Sequence, residues 1–146
     1  SSSSMGYFGR LQVIQNYSAV TGACLMVQKR KFEEASGFDE CFQFAYNDVD
    51  FCLRLLEKGY RNVWTPYAEL YHHESLTRGA EDTNSEKYLR FCHEARLFTT
   101  RWKDFIERQD LCFNPNLSYE TSDVRVNPLG KIDIFDYFID KPWNYL

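Results

Sequence analysis

Two acidic residues separated by one position are the first candidates for chemistry in this sequence. Asp48 and Asp50 form the triplet D-V-D, and closely spaced carboxylates can bind a hard cation or act as a general base. Structural roles explain the same pair, because Asp48 can cap the start of a helix and Asp50 can pair with Arg54 one turn later. The triplet by itself leaves both interpretations open.

Two neighbouring histidines, His72 and His73, are followed by Glu74 and form the second candidate. They end a segment predicted to be extended, where consecutive side chains point to opposite faces, so at most one of them should face a given site. A structural zinc site needs three or four suitably spaced ligands, and neither H-E-x-x-H nor a Cys/His cluster occurs. The structural alternative for His72 is a hydrogen-bonded, half-buried side chain.

The helix that carries the acidic triplet is predicted from apolar residues spaced three and four apart, which are Val49, Cys52, Leu53 and Leu56. Gly59 is predicted to end it. A capping box, Thr83-x-x-Glu86, precedes the longest apolar stripe and predicts the longest helix.

Shorter elements are predicted around this helix. Residues 20–27 (VTGACLMV) are nearly all apolar and predict a buried strand, and residues 29–36 predict a short helix that Gly37 ends. Pro66 separates two extended pieces, 61–65 and 67–73. Strands mixed with helices predict an α/β chain with too few strands for a complete doubly wound fold.

Composition excludes several classes of protein. The chain has 146 residues and a mass of 17.3 kDa, which is the size of one domain, and its twelve Phe and ten Tyr argue against disorder. A net charge of −4 excludes a strongly basic nucleic-acid binder, and no apolar run approaches the ~20 residues of a transmembrane helix. Five cysteines without a C-x-x-C pair favour reduced, buried thiols. Serine hydrolases, P-loop nucleotidases and dinucleotide dehydrogenases have no sequence support, because their glycine motifs do not occur.

Five short segments occur in a specific order and spacing. They are T-G-A-C-L at 21–25, G-F-D-E at 37–40, N-D-V-D-F-C-L-R at 47–54, G-Y-R at 59–61 and Y-H-H-E-S at 71–75. Together they resemble the second half of the family-two glycosyltransferases, especially the rhamnosyltransferase-like members. The resemblance is tight over residues 20–78 and looser as far as residue 118. It implies an α/β, partial GT-A (nucleotide-diphospho-sugar transferase) fold, limited to the acceptor-side half, with a long C-terminal helix and an irregular tail.

The resemblance also implies roles for single residues. Asp48 matches the catalytic aspartate of the family's E-D motif, which deprotonates the acceptor hydroxyl as it attacks the sugar's anomeric carbon. His72 matches a histidine that reaches the divalent cation on the donor diphosphate. The remaining matches are to substrate-binding positions, namely Thr21, Gly22, Ala23, Asp39 and Asn47. Asp50 then has a structural role, because the family's metal-binding D-x-D belongs to the nucleotide-binding first half.

A division into four parts follows from the patterns and the resemblance. Residues 1–19 are a polar leader or an expression-derived segment, and residues 20–79 are the acceptor and catalytic half of a GT-A domain. Residues 80–109 are a long amphipathic helix. Residues 110–146 are an aromatic tail, punctuated by proline, that is expected to pack back on the domain.

The implied function is transfer of a sugar, with inversion, from a nucleotide-sugar donor to a hydroxyl of a glycan acceptor in bacterial surface polysaccharide synthesis. The expected partners are that donor, that acceptor and a nucleotide-binding N-terminal half, whose motifs are not found before Thr21, so the chain alone is expected to be inactive. The expected cofactor is Mg²⁺ or Mn²⁺ in the full-length enzyme, with the alternative that this fragment binds none. The expected location is the cytoplasm, either free or peripheral at the inner face of the membrane.

Two alternatives remain open at this point. Asn47 stands where the family usually has Glu, which removes a charge that can orient the acceptor. This departure and the missing first half motivate the second hypothesis, a carbohydrate-binding or protein-interaction module without enzymatic activity. A homodimer of the fragment is the third, because the long helix has near-heptad spacing and a missing half would expose apolar surface.

Overall fold

A computed structural model describes residues 5–71, 86–108, 110–114 and 116–117 of the chain. These residues form four α-helices, which are α1 (Lys29–Glu34), α2 (Asn47–Glu57), α3 (Glu86–Arg101) and α4 (Lys103–Glu107). Two strands, β1 (Gln15–Tyr17) and β2 (Asn62–Trp64), and two 3₁₀ helices, Tyr7–Gln12 and Gly22–Cys24, complete the described elements.

Helix α2 lies at the centre of the described fold and buries two of its faces. On one face Leu53 packs with Phe98 and Trp102 from the C-terminal helical region. On another face Phe51 and Leu55 pack beside α1, in a second cluster that Leu25, Val27, Phe32 and Tyr60 complete. The predicted helix is therefore confirmed, and its apolar spacing predicts the face that meets α3.

The described sheet has two antiparallel strands, with Gln15 opposite Trp64 and Tyr17 opposite Asn62. Asn62 is buried, and its side-chain amide donates to the carbonyl oxygens of Ser18 and Cys52 at 2.9 and 3.1 Å. This amide ties the sheet to α2. The predicted extended piece 61–65 contains β2, whereas the described part of the second piece, 67–71, contains no strand.

The predicted buried strand at residues 20–27 is wrong in the described structure. A strand needs neighbouring strands for its backbone hydrogen bonds, and the described sheet holds β1 and β2 alone. The segment instead begins with the 3₁₀ turn Gly22–Cys24, which the Thr21 side chain caps. Leu25 and Val27 still pack against the core, while Met26 between them is fully exposed.

The predicted long helix is interrupted at Trp102. Its backbone leaves the helical region at φ −102° and ψ 19°, which separates α3 from α4. The Trp102 indole donates a hydrogen bond of 3.0 Å to the buried carboxylate of Asp50. A buried polar indole needs such a partner, and this contact is made at the residue that separates α3 from α4.

The start of α2 also differs from the prediction. Asp48 lies inside the first turn, and the residue that precedes the helix is Tyr46, which has a left-handed backbone at φ 62° and donates or accepts no capping bond through its side chain. The reason is tertiary, since the Tyr46 ring stacks between Phe91 and Phe98 of α3 at centroid distances of 5.9 and 4.7 Å.

The ends of the two earlier helices are local features of the sequence. Gly59 follows α2 at φ 81°, and the amides of Gly59 and Tyr60 bond back to Leu56 and Leu55 in the pattern of a Schellman motif. At the end of α1 the same left-handed position is taken by Ser36 at φ 61°, one residue before the predicted Gly37.

All five cysteines are free, and Cys52 alone among them is buried, so the expectation of buried thiols holds for one residue. Within the described ranges, no helix combines the length and the apolar character needed to cross a membrane.

Candidate active site

The Asp48 carboxylate meets the backbone of a residue 26 positions earlier in the chain. Its Oδ2 accepts a hydrogen bond of 2.6 Å from the amide of Gly22, and its Oδ1 accepts one of 2.8 Å from the amide of Val49. The first bond joins the helix α2 to the 3₁₀ turn at 22–24. Bonds of this kind, to an ionised acceptor, are short and directional, so they fix the orientation of the carboxylate.

Gly22 suits this approach because of its small size. A Cβ at this position would lie 3.2 Å from the Asp48 Cβ and 3.4 Å from its Oδ2. A side chain here would therefore require Asp48 to shift by a few tenths of an ångström. The T-G-A segment and the acidic helix start are thus matched to one another in space.

Three further predicted residues, Thr21, Ala23 and Asn47, belong to the same place. Thr21 caps the turn by accepting a bond of 3.2 Å from the Ala23 amide. Asn47 is the first residue of α2, and its Oδ1 accepts a bond of 2.8 Å from the Asp48 amide. The structure therefore brings five of the seven predicted residues together: Thr21, Gly22, Ala23, Asn47 and Asp48.

Asp39 lies in a different network. It accepts a bond of 2.9 Å from the Cys41 amide and pairs with Arg101 at 2.7 Å. These two contacts, the Cys41 amide first, lower the pKa of Asp39 from 3.8 to about 2. Among the described residues, Asp39 bonds to Cys41, two positions later, and to Arg101 of α3, and no bond joins it to Asp48. Its substrate-binding role therefore stays a prediction.

The second acidic residue of the triplet, Asp50, is completely buried and has structural partners. Its Oδ2 pairs with Arg54 at 2.8 Å, and its Oδ1 accepts bonds from Arg101 at 2.9 Å and from Trp102 at 3.0 Å. Arg54 in turn donates to the carbonyl oxygens of Ala35 and Gly37. The pairing of Asp50 with Arg54 confirms the prediction, and the contribution of α3 to this network was not predicted.

Sequence reasoning missed Glu94 entirely. This residue lies in α3 with 2% of its surface exposed, and its carboxylate accepts the backbone amides of residues 43–45, directly before the helix that carries Asp48. One signal was available, because a charged residue stands three positions after Phe91 and four before Phe98 in the apolar stripe. A charge at such a position is buried and needs specific partners.

The candidate metal ligand His72, with His73 and Glu74, lies outside the described residues. Across the ranges that the structure describes, no three His, Cys, Asp or Glu side chains are grouped so that they could hold a metal ion.

The arrangement at Asp48 suits proton abstraction. A carboxylate offers about four lone-pair positions, and two of them are used by the amides of Gly22 and Val49. Either of the two remaining lone-pair positions can accept a proton from a ligand hydroxyl. Thr21, Gly22 and Ala23 are exposed and Asp48 is half-buried, so a ligand can reach this carboxylate.

The described residues form a mixed fold of helices and a small sheet, with an oriented and accessible carboxylate. Comparison of the sequence with known protein families agrees with this picture. Residues 3–138 match the family described as Glycosyl transferase family group 2, and the chain belongs to this family. Membership implies a nucleotide-diphospho-sugar transferase fold. No solved structure matches the chain significantly.

Three relatives show how the chain compares with whole proteins. It is 50% identical over 121 residues to the uncharacterized protein y4gI of Sinorhizobium fredii, covering 81% of this chain and 13% of that protein. It is 42% identical over 74 residues to the O-antigen biosynthesis protein RfbC of Myxococcus xanthus, covering 51% of this chain and 6% of that protein. It is 36% identical over 62 residues to the N-acetylglucosaminyl-diphospho-decaprenol L-rhamnosyltransferase of Mycobacterium tuberculosis, covering 42% of this chain and 20% of that protein. The chain thus spans a fifth or less of the length of these relatives.

Proposed function

We propose that this chain is the acceptor-side half of a GT-A glycosyltransferase and that Asp48 is its catalytic base. The observation that carries the proposal is the hydrogen bond of 2.6 Å between the Asp48 carboxylate and the Gly22 amide. It joins the two segments that the family resemblance assigns to the acceptor side. Family membership supports the reaction class.

The reaction follows from the chemistry of a carboxylate and an alcohol. A sugar hydroxyl is a weak nucleophile, and Asp48 accepts its proton as the oxygen attacks the anomeric carbon of the donor sugar. A new bond forms between the anomeric carbon and the acceptor oxygen, the bond from that carbon to the diphosphate oxygen breaks, and the nucleoside diphosphate leaves with the electron pair. Attack from the face opposite the leaving group inverts the anomeric configuration.

The exposed turn at 21–23 is proposed to bind sugar hydroxyls beside the base. Asn47 is proposed to contribute a neutral amide to the acceptor, and Asp39 is proposed to contact substrate from its ion pair with Arg101. For the complete enzyme we propose a divalent cation, Mg²⁺ or Mn²⁺, with His72 as the contribution of this chain. Such a cation, when bound, neutralises charge on the leaving diphosphate.

The remaining parts of the proposal concern the larger protein. The chain spans at most 20% of the three relatives described above, which supports a nucleotide-binding half elsewhere in a longer protein and no transfer by this chain alone. The names of two relatives, an O-antigen biosynthesis protein and a rhamnosyltransferase, support glycosyl transfer in bacterial polysaccharide synthesis. Residues 20–79 are proposed as the catalytic half, and helices α3 and α4 as the part that supports it.

The test is the variant Asp48→Asn in the complete enzyme. Loss of the base should lower kcat about 10²- to 10⁴-fold, while binding of the nucleotide-sugar donor stays unchanged. Asp104→Asn is the matched control, because it makes the same chemical change at an exposed position of α4. This variant should transfer the sugar at the wild-type rate. Transfer by Asp48→Asn at the wild-type rate would remove Asp48 as the base, and glycan binding without any transfer by the wild type would favour the binding-module hypothesis.

A further inference from the structure

A buried carboxylate accepts hydrogen bonds from three consecutive backbone amides just before the helix that carries Asp48. The Oε1 of Glu94 accepts bonds from the amides of Gln43 at 3.2 Å and Phe44 at 3.1 Å. Its Oε2 accepts bonds from Phe44 at 3.0 Å and Ala45 at 2.6 Å. These four contacts bridge about 50 positions of sequence, from α3 to the loop that enters α2.

The Glu94 carboxylate and the three loop amides each need the other as a hydrogen-bond partner. A carboxylate with 2% of its surface exposed is costly to bury unless it is paired or hydrogen-bonded. None of the ion pairs formed within the described ranges includes Glu94, so the three amides are what compensates its charge. The same amides lie outside any helix or strand and find in Glu94 the acceptor that a regular element would otherwise provide.

The residue that follows the loop is held by the same face of α3. Tyr46 has the left-handed backbone at φ 62°, a conformation that costs a residue other than glycine about 1–2 kcal/mol and persists when surrounding contacts impose it. Its ring lies between Phe91 and Phe98, nearly parallel to both, at interplanar angles of 23° and 18°. Phe91, Glu94 and Phe98 follow one another at three- and four-residue steps, which places them on one face of the helix.

The held segment leads directly into the site. The Tyr46 carbonyl accepts the first helical bond of α2, from the Asp50 amide at 2.8 Å. Asn47 and Asp48 come next, and Asp48 bonds to Gly22. The position of the first turn of α2 therefore depends on where α3 holds residues 43–46.

We infer that Glu94 is a positioning residue for Asp48: it fixes residues 43–45 and, through Tyr46, places the Asp48 carboxylate against the T-G-A turn and the acceptor. This inference rests on the proposed function. It assigns a role to α3 that no sequence motif indicates, and it makes the orientation of the base dependent on a buried carboxylate in another element.

The test variant is Glu94→Gln, which keeps the size of the side chain and one acceptor oxygen but turns an amino group toward an amide donor of the loop. The matched control is Glu86→Gln, because Glu86 is an exposed residue of the same helix. Circular dichroism establishes folding of each variant. If Glu94→Gln does not fold, Glu94→Asp replaces it, since it keeps the charge and loses only reach.

The first readout needs no enzymatic activity. In the ¹⁵N-labelled chain the Gly22 amide reports the hydrogen bond to Asp48, and Asp48→Asn provides the reference shift for the weakened bond. We expect the Gly22 resonance in Glu94→Gln to move in the same direction as in Asp48→Asn, and to stay in place in Glu86→Gln. If Glu94 had a merely structural role in α3, the Gly22 resonance would stay in place in both Glu94→Gln and Glu86→Gln.

The second readout is transfer by the complete enzyme. We expect kcat of Glu94→Gln to fall about 10- to 100-fold, the size of effect that misplacement of a catalytic group by an ångström produces, with the acceptor KM close to that of the wild type. An unmoved Gly22 resonance or an unchanged kcat in a folded variant overturns the inference. Failure of the proposed function has a different signature, because Asp48→Asn would then retain transfer, and the Gly22 resonance would still report whether Glu94 controls the position of Asp48.

Discussion

The two aspartates of the D-V-D triplet offer a comparison in which the same chemical change should affect stability in one case and transfer in the other. Asp50→Asn is expected to destabilise the fold, whereas Asp48→Asn is expected to affect transfer and leave the fold nearly intact. The reason is burial, because Asp50 is completely buried among Arg54, Arg101 and Trp102, while Asp48 is half-buried at the helix start.

The size of the Asp50 effect follows from its partners. Removing one member of a buried ion pair costs about 3–5 kcal/mol. The Arg54 and Arg101 side chains are 20% and 31% exposed, so water can partly solvate them in the variant, and the Asn oxygen keeps one acceptor. We therefore expect the lower end, about 3 kcal/mol. For Asp48→Asn we expect about 1 kcal/mol, from a weaker bond to Gly22 and the loss of a charge at the helix N-terminus.

The assay is thermal unfolding of the chain followed by circular dichroism. For a chain of this size, 1 kcal/mol corresponds to a shift in Tm of about 2–4 °C. Asp50→Asn should therefore lower Tm by about 6–12 °C, against about 2–4 °C for Asp48→Asn. Equal shifts in the two variants would refute the assignment of Asp50 to the buried network and of Asp48 to the surface site.

Two further predictions concern residues beside these networks. Gly22→Ala should lower transfer about tenfold while Tm changes little, since a methyl group 3.2 Å from the Asp48 Cβ moves the carboxylate without straining the backbone; wild-type transfer would show that the close approach is unimportant. Asp39 should stabilise the fold at neutral pH and lose that effect in acid. The Cys41 amide and Arg101 lower its pKa to about 2, so its contribution is complete above the unfolded pKa and disappears as pH falls toward 2. The difference in Tm between wild type and Asp39→Asn should therefore shrink between about pH 5 and about pH 2, and a constant difference would contradict the lowered pKa of Asp39.

Helix α2 shows what local sequence information can determine. Its apolar spacing, the glycine that ends it and the pairing of Asp50 with Arg54 all involve residues within a few positions of one another. Such signals depend on the 3.6-residue repeat and on backbone preferences, which act within a single element. The family resemblance likewise located the T-G-A segment and Asp48 from residue types in order.

Features that depend on distant partners were not determined in this way. The prediction of a strand at 20–27 was wrong because an apolar run becomes a strand only beside another strand. The described sheet contains β1 and β2, and neither pairs with residues 20–27. The break at Trp102 and the left-handed Tyr46 have the same origin, since each is set by a contact with a residue about 50 positions away.

The candidate site divides along the same line. Sequence alone named Asp48 and the T-G-A segment and gave Asp50 its local partner. The tertiary structure decided that Gly22 meets Asp48 and that Asp39 joins Arg101. It also decided that Glu94 holds the loop before α2. The physical reason is that hydrogen bonds between segments 26 to 62 positions apart leave no periodic trace in the sequence, and they form only once packing has brought the helices together.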